Sequence, residues 1–296
     1  MRASSLSRLA LTALCSALLA GCAQSPTGRN QMLLFSPQQM NQLGADSFTQ
    51  MKQLEKVSTD ARMNAYVGCV AKAVTAQVPA SYGITSWEVV VFDSKEINAF
   101  ALPGGKIGVY SGLLKVAKNQ DQLATVIGHE LTHVLAQHSN ERLSRDQLTG
   151  IGLAVADAAI GSSDSLGGAA TMAALGLGVQ VGLALPFGST QESEADRLGL
   201  ELMARAGFNP AEAVTLWQNM SAASGGKAPP QLLSTHPSDQ SRIANLQAQQ
   251  AEVQPLYQQA KASGLVPQCK ASGPTHDHSL HKLIKSRSVE RLQVRF

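Results

Sequence analysis

Charge is scarce in this sequence. Only 15% of its 296 residues are Asp, Glu, Lys or Arg, and the formal net charge of +3 is unevenly spread. Residues 23–269 carry 16 basic and 19 acidic side chains, whereas residues 270–296 carry 6 basic and 2 acidic ones. The body of the chain is therefore mildly acidic and only the tail is basic, which excludes the broad basic face of a nucleic-acid-binding domain. Cysteine is equally sparse, with four in the chain. Long apolar runs are few. Leu9–Leu19 follows the basic residues Arg2 and Arg8. It is too short and wrongly flanked to cross a membrane, and reads as the core of a signal peptide. Leu166–Phe187 lacks charge over about the length that spans a bilayer, but Gln180 and several glycines keep its hydrophobicity modest, and Asp157 and Asp164 precede it. Thr149–Gly188 is accordingly read as two packed small-residue helices, with a transmembrane hairpin as the lesser reading. Glycine lowers helix stability, so the stretch could act as a mobile cover.

The signal region ends in Leu19-Ala20-Gly21-Cys22, which resembles a bacterial lipobox. Residues 1–21 would then be removed and Cys22 would carry lipid. The alternative is an ordinary signal peptide that contains a cysteine. Ala23, rather than Asp, follows Cys22, which favours the outer membrane, periplasmic face, as the address. Cys15 leaves with the signal, so Cys69 and Cys269 remain as an even pair in an oxidising compartment. They are expected to form a disulfide; two unrelated thiols are the alternative. Residues 22–36 read as a lipidated tether and residues 37–269 as one domain with a sizeable core. Residues 270–296 read as a basic, disordered tail in which His276, His278 and His281 allow adventitious metal binding.

Within the domain, Pro37–Glu55 reads as a helix capped by Ser36 with Pro37 at its first position. Asp60–Val78 reads as a second helix, stopped by Pro79. Trp87–Phe92 and Lys106–Tyr110 have strand character, the latter following a Pro103-Gly104-Gly105 turn. A long amphipathic run from Asp121 to Leu143 comes next. The fold class expected is α+β: a mostly helical domain with a small antiparallel sheet beside the long helix.

That run contains His129-Glu130-Leu131-Thr132-His133. On a helix, positions i and i+4 share a face, so both imidazoles can reach one metal ion. Glu130 lies beside them, placed to polarise an attacking water. The surrounding Leu123, Val126, Ile127, Leu131, Val134 and Leu135 are apolar, so two histidines and a glutamate are drawn into a core-facing helix, where polar groups need a reason to be buried. The bland reading is a pair of histidines satisfied by hydrogen bonds. The third histidine of an HExxHxxGxxH site is missing: Ala136 stands at the Gly position and His138 comes too early. Donors are available in Gln191-Glu192-Ser193-Glu194-Ala195-Asp196, where Glu192 and Asp196 share a helix face. One carboxylate could bind the metal while the other holds a ligand imidazole through its free N–H. The bland alternative is an acidic helix start favoured by the dipole. Glu194 is rotated about 100° per residue step from its neighbours and is less suited to the same metal.

With HELTH followed by ESEAD, the chain resembles the CAAX-prenyl-protease/HtpX family of zinc endopeptidases, from about Thr27 to about Leu246. Thr27-Gly28-Arg29-Asn30-Gln31, Asn98–Gly105 and Thr235-His236-Pro237-Ser238 match as well. The match is best to the bacterial lipoprotein or periplasmic branch of the LoiP and BepA type, without the long repeat tail of the latter. The resemblance implies a gluzincin-type zincin fold with one Zn2+ per chain. It makes His129, His133 and Glu192 the ligands, Glu130 the general base, and Asp196 the residue that holds a ligand imidazole. It places His236 near the metal, as an oxyanion donor or as a reversible fourth ligand that keeps the enzyme latent; a plain loop histidine is the alternative. Arg242 would orient that loop or bind a substrate carboxylate. An edge strand at Asn98, Ala99 and Phe100 could bind substrate by strand addition, with Asn98 holding its backbone; a plain hairpin is the alternative. The implied role is cell-envelope quality control: cleavage of misfolded or stalled periplasmic and outer-membrane proteins, anchored through Cys22, with the outer-membrane assembly machinery as a further partner. The competing class is a chaperone-like assembly factor with a latent or structural zinc site.

Overall fold

The computed structural model describes residues 22–159, 186–224, 230–236 and 240–270. The expectations for the signal peptide, for most of the Gly- and Ala-rich stretch and for the C-terminal tail fall outside these residues.

The described residues open with an antiparallel hairpin of β1 (Cys22–Gln24) and β2 (Asn30–Met32). Its turn needs a left-handed residue, supplied by Gly28 at φ 84°. Helix α1 (Pro37–Leu54) starts with a capping box in which Ser36 and Gln39 satisfy each other's backbone N–H. Helix α2 (Ala61–Thr75) is capped by Asp60, which accepts from the N–H groups of Arg62 and Met63. Its Tyr66, Val67, Val70, Ala71 and Val74 are buried in the main core.

The sheet corrects one expectation. It is mixed rather than antiparallel: β3 (Glu88–Phe92) pairs parallel with β5 (Lys106–Tyr110), and β4 (Ala99–Leu102) pairs antiparallel on the other side of β5. The reason is the tight turn between β4 and β5. Gly104 and Gly105 both adopt positive φ, at 79° and 74°, closing β4 onto β5 as a hairpin. The β5 strand then runs back alongside β3. The outer side of β3 is covered by residues 56–58, through Ser58 N to Val91 O and Asp93 N to Lys56 O. The outer side of β4 lies beside the next helix.

That helix, α3 (Gln120–Leu135), is capped by Asn119 and is buried almost throughout. The Asp121–Leu143 run is not one helix. Gln137 has φ 53°, a left-handed value that breaks the ladder, and α4 (His138–Ala159) starts in a new direction. Helix α5 (Ser189–Arg205) crosses α3 backbone to backbone. A Cβ on Gly128 would lie 2.7 Å from Gly199 O, and one on Gly199 would lie 2.8 Å from His129 N. These two glycines let the helices approach closely enough for their polar faces to meet. Helices α6 (Glu212–Ser224), α7 (Gln231–Thr235) and α8 (Gln240–Ala262) complete the described domain. Cys69 and Cys269 are bonded, joining α2 to the segment after α8 across 200 residues of sequence. No helix of the described residues is long and apolar enough to cross a membrane.

Residues 22–36 are not a free tether. Gln31 donates to Ala136 O (2.6 Å), Leu34 N to Ser144 Oγ (2.8 Å) and Asn140 Nδ2 to Phe35 O (2.8 Å). The segment carries enough specific polar groups to dock on the α3–α4 junction.

Candidate metal centre

Helix α3 presents His129, Glu130 and His133, and α5 presents Glu192 and Asp196. His236 follows α7, and Arg242 lies in the first turns of α8. All seven are buried. His129 Nε2 lies 3.1 Å from His133 Nε2, 3.2 Å from His236 Nδ1 and 3.3 Å from Glu192 Oε2. Glu192 Oε1 lies 2.9 Å from His236 Nδ1 and 3.6 Å from His133 Nε2. One donor atom from each of the four residues falls within 4.8 Å of every other. A tetrahedral zinc with metal–nitrogen bonds of about 2.0–2.1 Å has ligand–ligand edges of about 3.3–3.4 Å. The observed separations bracket that value.

The electrostatics fit a divalent ion as well. Glu130, Glu192 and Asp196 bring three buried carboxylates, and Arg242 brings one buried cation. Burial alone would lower the His129 imidazolium, but its bonds to Asp196 and Glu192 outweigh that and lift it to about 9. The pocket thus favours positive charge where the four donors meet. Burial raises Glu192, yet the neighbouring His236 and His129 hold it far below the usual carboxylate range. Burial pushes the Glu130 carboxyl up. Among the described residues its Oε1 has no hydrogen-bond partner, and it sits 3.3 Å from His236 Nε2. A buried carboxylate oxygen left this way is costly unless a ligand or substrate uses it.

Each pentad histidine is held by its outer nitrogen. His129 Nδ1 lies 3.0 Å from Asp196 Oδ1. Asp196 in turn accepts two bonds of 2.7 Å from Arg242 Nε and Nη2. The third arm of that guanidinium, Nη1, lies 2.7 Å from Glu192 Oε2. Its plane rests on Trp217, 4.1 Å from the ring centroid. Arg242 is therefore sealed beneath the donors and does not face a substrate carboxylate. His133 stacks on Phe187 at 3.9 Å, and its Nδ1 lies 2.8 Å from Nδ1 of His138. His138 Nε2 reaches Glu194 Oε2 at 3.2 Å. Neither His138 nor Glu194 is expected at the site from helical spacing. Glu194 does face away from the donors, as its rotation requires, but it meets a histidine that the break at Gln137 turns back.

The edge strand needs correction. The Asn98, Ala99 and Phe100 side chains are buried, not exposed. Phe100 points away from the metal donors into an aromatic cluster with Phe48, Phe92 and Tyr110, at centroid distances of 6.1–6.2 Å. It covers Gly108, where any Cβ would strike its ring. The Phe100 side chain is thus part of the core. The backbone of the strand is buried with it, Ala99 at 3% and Ala101 at 8% exposure. Tyr110 N donates to Asn98 O (3.0 Å), so by ladder alternation the N–H and C=O groups of Ala99 and Ala101 point off the sheet. Asn98 Oδ1 accepts from Ala99 N (2.9 Å).

Comparisons agree with this centre. The description of peptidase family M48 matches residues 59–250. The chain is 37% identical over 191 residues to the mitochondrial metalloendopeptidase OMA1 of Schizosaccharomyces pombe, covering 64% of this chain and 53% of that protein. It is 34% identical over 240 residues to the OMA1 metalloendopeptidase of Danio rerio, covering 75% and 49%. It is 30% identical over 181 residues to the beta-barrel assembly-enhancing protease of Escherichia coli K12, covering 60% and 37%. The chain spans about half the length of the OMA1 relatives and less of the third. M48 metallopeptidases use zinc, and the His129, His133, Glu192 and His236 cluster is sized for one ion. With the match covering well over half of its length, the chain belongs to peptidase family M48.

Proposed function

We propose that this protein is a zinc-dependent endopeptidase of the bacterial cell envelope. The observation that carries the reading is the buried carboxylate of Glu130, with an oxygen unbonded among the described residues, beside four donors at zinc-ligand spacing. His129, His133 and Glu192 would hold the ion, with Asp196 orienting His129. Bound zinc supplies Lewis acidity to the attacking water and the scissile carbonyl. Glu130 takes a proton from that water at its carboxylate and delivers it to the leaving amine nitrogen. Its burial raises its proton affinity toward what a general base needs. An extended polypeptide adds to the edge of β4 through Ala99 C=O and the backbone groups of Ala101, and displaces Asn98 Oδ1 from the Ala99 N–H that it now holds. That recognition uses main-chain groups and suits unfolded substrates of varied sequence.

His236 is the latency element of this reading. Its Nδ1 stands among the donors, 3.2 Å from His129 Nε2 and 2.9 Å from Glu192 Oε1, in the position a reacting water needs. Moved outward, the same imidazole is placed to donate to the developing oxyanion. The substrates proposed are misfolded or stalled envelope proteins. The Arg2, Arg8, Leu9–Leu19 and Cys22 pattern supports an outer-membrane lipoprotein of the LoiP and BepA kind. Similarity to the beta-barrel assembly-enhancing protease supports contact with the outer-membrane assembly machinery.

The test is casein cleavage by the full chain and by Glu130→Gln, with zinc content read on both. Cleavage by the first alone, at equal zinc content, supports the mechanism. Zinc in both with cleavage by neither, even after His236→Ala, would favour the assembly-factor reading.

A further inference from the structure

The Thr27-Gly28-Arg29-Asn30-Gln31 segment has no part in the mechanism above, yet its Thr27, Arg29 and Gln31 side chains reach toward the centre. Thr27 donates to Glu194 Oε1 from its hydroxyl (2.7 Å) and its backbone N–H (3.3 Å). Arg29 Nε donates to Glu194 Oε2 (3.2 Å). The two remaining arms of Arg29 grip Glu141, Nη1 to Oε1 at 2.6 Å and Nη2 to Oε2 at 2.8 Å. Gln31 Nε2 bonds to Ala136 O (2.6 Å), the residue that caps α3 just after His133. Glu194 passes these contacts inward, to His138 and from there to His133 Nδ1. His138 is fully buried and Glu194 nearly so.

The protons in this chain have one consistent order. If His133 offers Nε2 to a metal, its hydrogen sits on Nδ1 and is donated to His138 Nδ1. The His138 hydrogen is then on Nε2 and is donated to Glu194, which must accept. The Glu194 carboxylate is oriented to accept by its other donors, which include Thr27 and Arg29 beside Ser25. This mirrors the way Asp196 and Arg242 hold His129, with one difference. The outer members here come from a 15-residue N-terminal segment, residues 22–36, that packs as a separate hairpin.

We infer that the N-terminal hairpin is a positioning part of the metal centre. Thr27 and Arg29 set Glu194, Glu194 sets His138, and His138 sets the ring of His133, so undocking the hairpin weakens metal binding. The inference rests on the reading of His133 as a zinc ligand. It gives the hairpin a role beyond joining the domain to Cys22: tension or release at the N-terminus is felt at the zinc.

The experiment is chelator competition for zinc on the full chain in detergent, with the thermal unfolding of each metal-free variant as a check on folding. The variants are His138→Phe, His138→Asn, and Thr27→Val with Arg29→Met. Loss of an outer-shell partner weakens metal affinity by about 10–100-fold. His138→Phe is expected in that range. His138→Asn, whose Oδ1 can stand in for the ring Nδ1 as acceptor, is expected to recover most of the loss. The hairpin double variant is expected to lose at least about threefold, by the same reasoning applied two hydrogen bonds further out. A hairpin double variant that folds and binds zinc within about threefold of the wild type would overturn the inference, whatever His138→Phe does. Absence of zinc binding by the wild type would overturn the ligand reading instead. If His138→Phe does not fold, linkage decides on the wild type alone. Zinc should then slow amide exchange at Leu34, bonded to Ser144, relative to α2 core amides, and an unchanged ratio refutes the coupling.

Discussion

Replacing Arg242 by Met should be among the most damaging single changes in this domain, and the structure says how damaging. The guanidinium is buried, makes two 2.7 Å bonds to Asp196, lies 2.7 Å from Glu192 and stacks on Trp217. Met keeps much of the apolar contact with Trp217 but takes the guanidinium away from two buried carboxylates, leaving the neighbouring histidines to offset them. Breaking a buried ion pair from one side costs about 3–5 kcal/mol. For a domain of this size each kcal/mol lowers Tm by about 2–4 °C, so the melting point should fall by about 6–20 °C. Zinc would offset the charge on Glu192 but not on Asp196, so the fall should be larger in excess chelator than with zinc bound. Arg242→Lys should rescue little, because an ammonium cannot span two carboxylates as the planar fork does. The decisive comparison is a double-mutant cycle with Asp196→Asn, which removes one orphaned charge. Arg242→Met with Asp196→Asn should then lose less than the two single changes together, by about 1–3 kcal/mol. Thermal and urea unfolding, with and without chelator, supply all the numbers. A loss below about 1 kcal/mol for Arg242→Met, or strict additivity in the cycle, would refute the claim that Arg242 is the counter-charge of the centre.

Four other outcomes are expected. Glu130→Gln should retain zinc while casein cleavage falls by about 10²–10⁴-fold, the usual worth of a positioned acid–base group; equal cleavage by both proteins would remove Glu130 from the mechanism. His236→Ala should raise cleavage, and a fall at unchanged zinc content would assign His236 to oxyanion stabilisation instead. Burial pushes the Glu141 carboxyl up, but hydrogen bonds from Arg29, Gln191 and Gln31 outweigh it and hold the group below its ordinary 4.5. Its stabilisation is therefore complete above that value and is lost as pH falls through the depressed folded pKa. Acid unfolding of Glu141→Gln should accordingly depend less steeply on pH below about 4.5 than that of the wild type. Replacing Cys69 and Cys269 together by Ser opens a loop of 200 residues. The chain-entropy model sets an upper bound of about 5 kcal/mol on the loss, and an unchanged urea midpoint would show that the bridge constrains little.

Much of this molecule is readable from local rules. The i, i+4 spacing of His129 and His133 puts both imidazoles on one helix face whatever else the chain does. The same spacing relates Glu192 and Asp196. The caps at Ser36 and Asp60 lie beside the helices they start, and the Gly104-Gly105 turn closes its own hairpin. These are contacts within a few residues, so sequence order carries them.

Other features depend on contacts between distant segments. The parallel pairing of β3 with β5 depends on which edge of the hairpin the earlier strand joins. Phe100 became core because the face opposite α3 is filled by Phe48 of α1. The break at Gln137 turned His138 back onto His133, and Glu194, set aside by its helical angle, met it there. Residues 22–36, read as a tether, docked through side chains whose partners lie more than 100 residues away. The sequence by itself determined the chemistry of this protein: a metal-binding pentad, two carboxylates one turn apart, and the helices that carry them. Tertiary structure decided which second residue holds each pentad histidine, because that depends on the backbone contact of Gly128 with Gly199 and the docking of the N-terminal hairpin. Local periodicity specifies the face of a helix, but only packing specifies what that face meets.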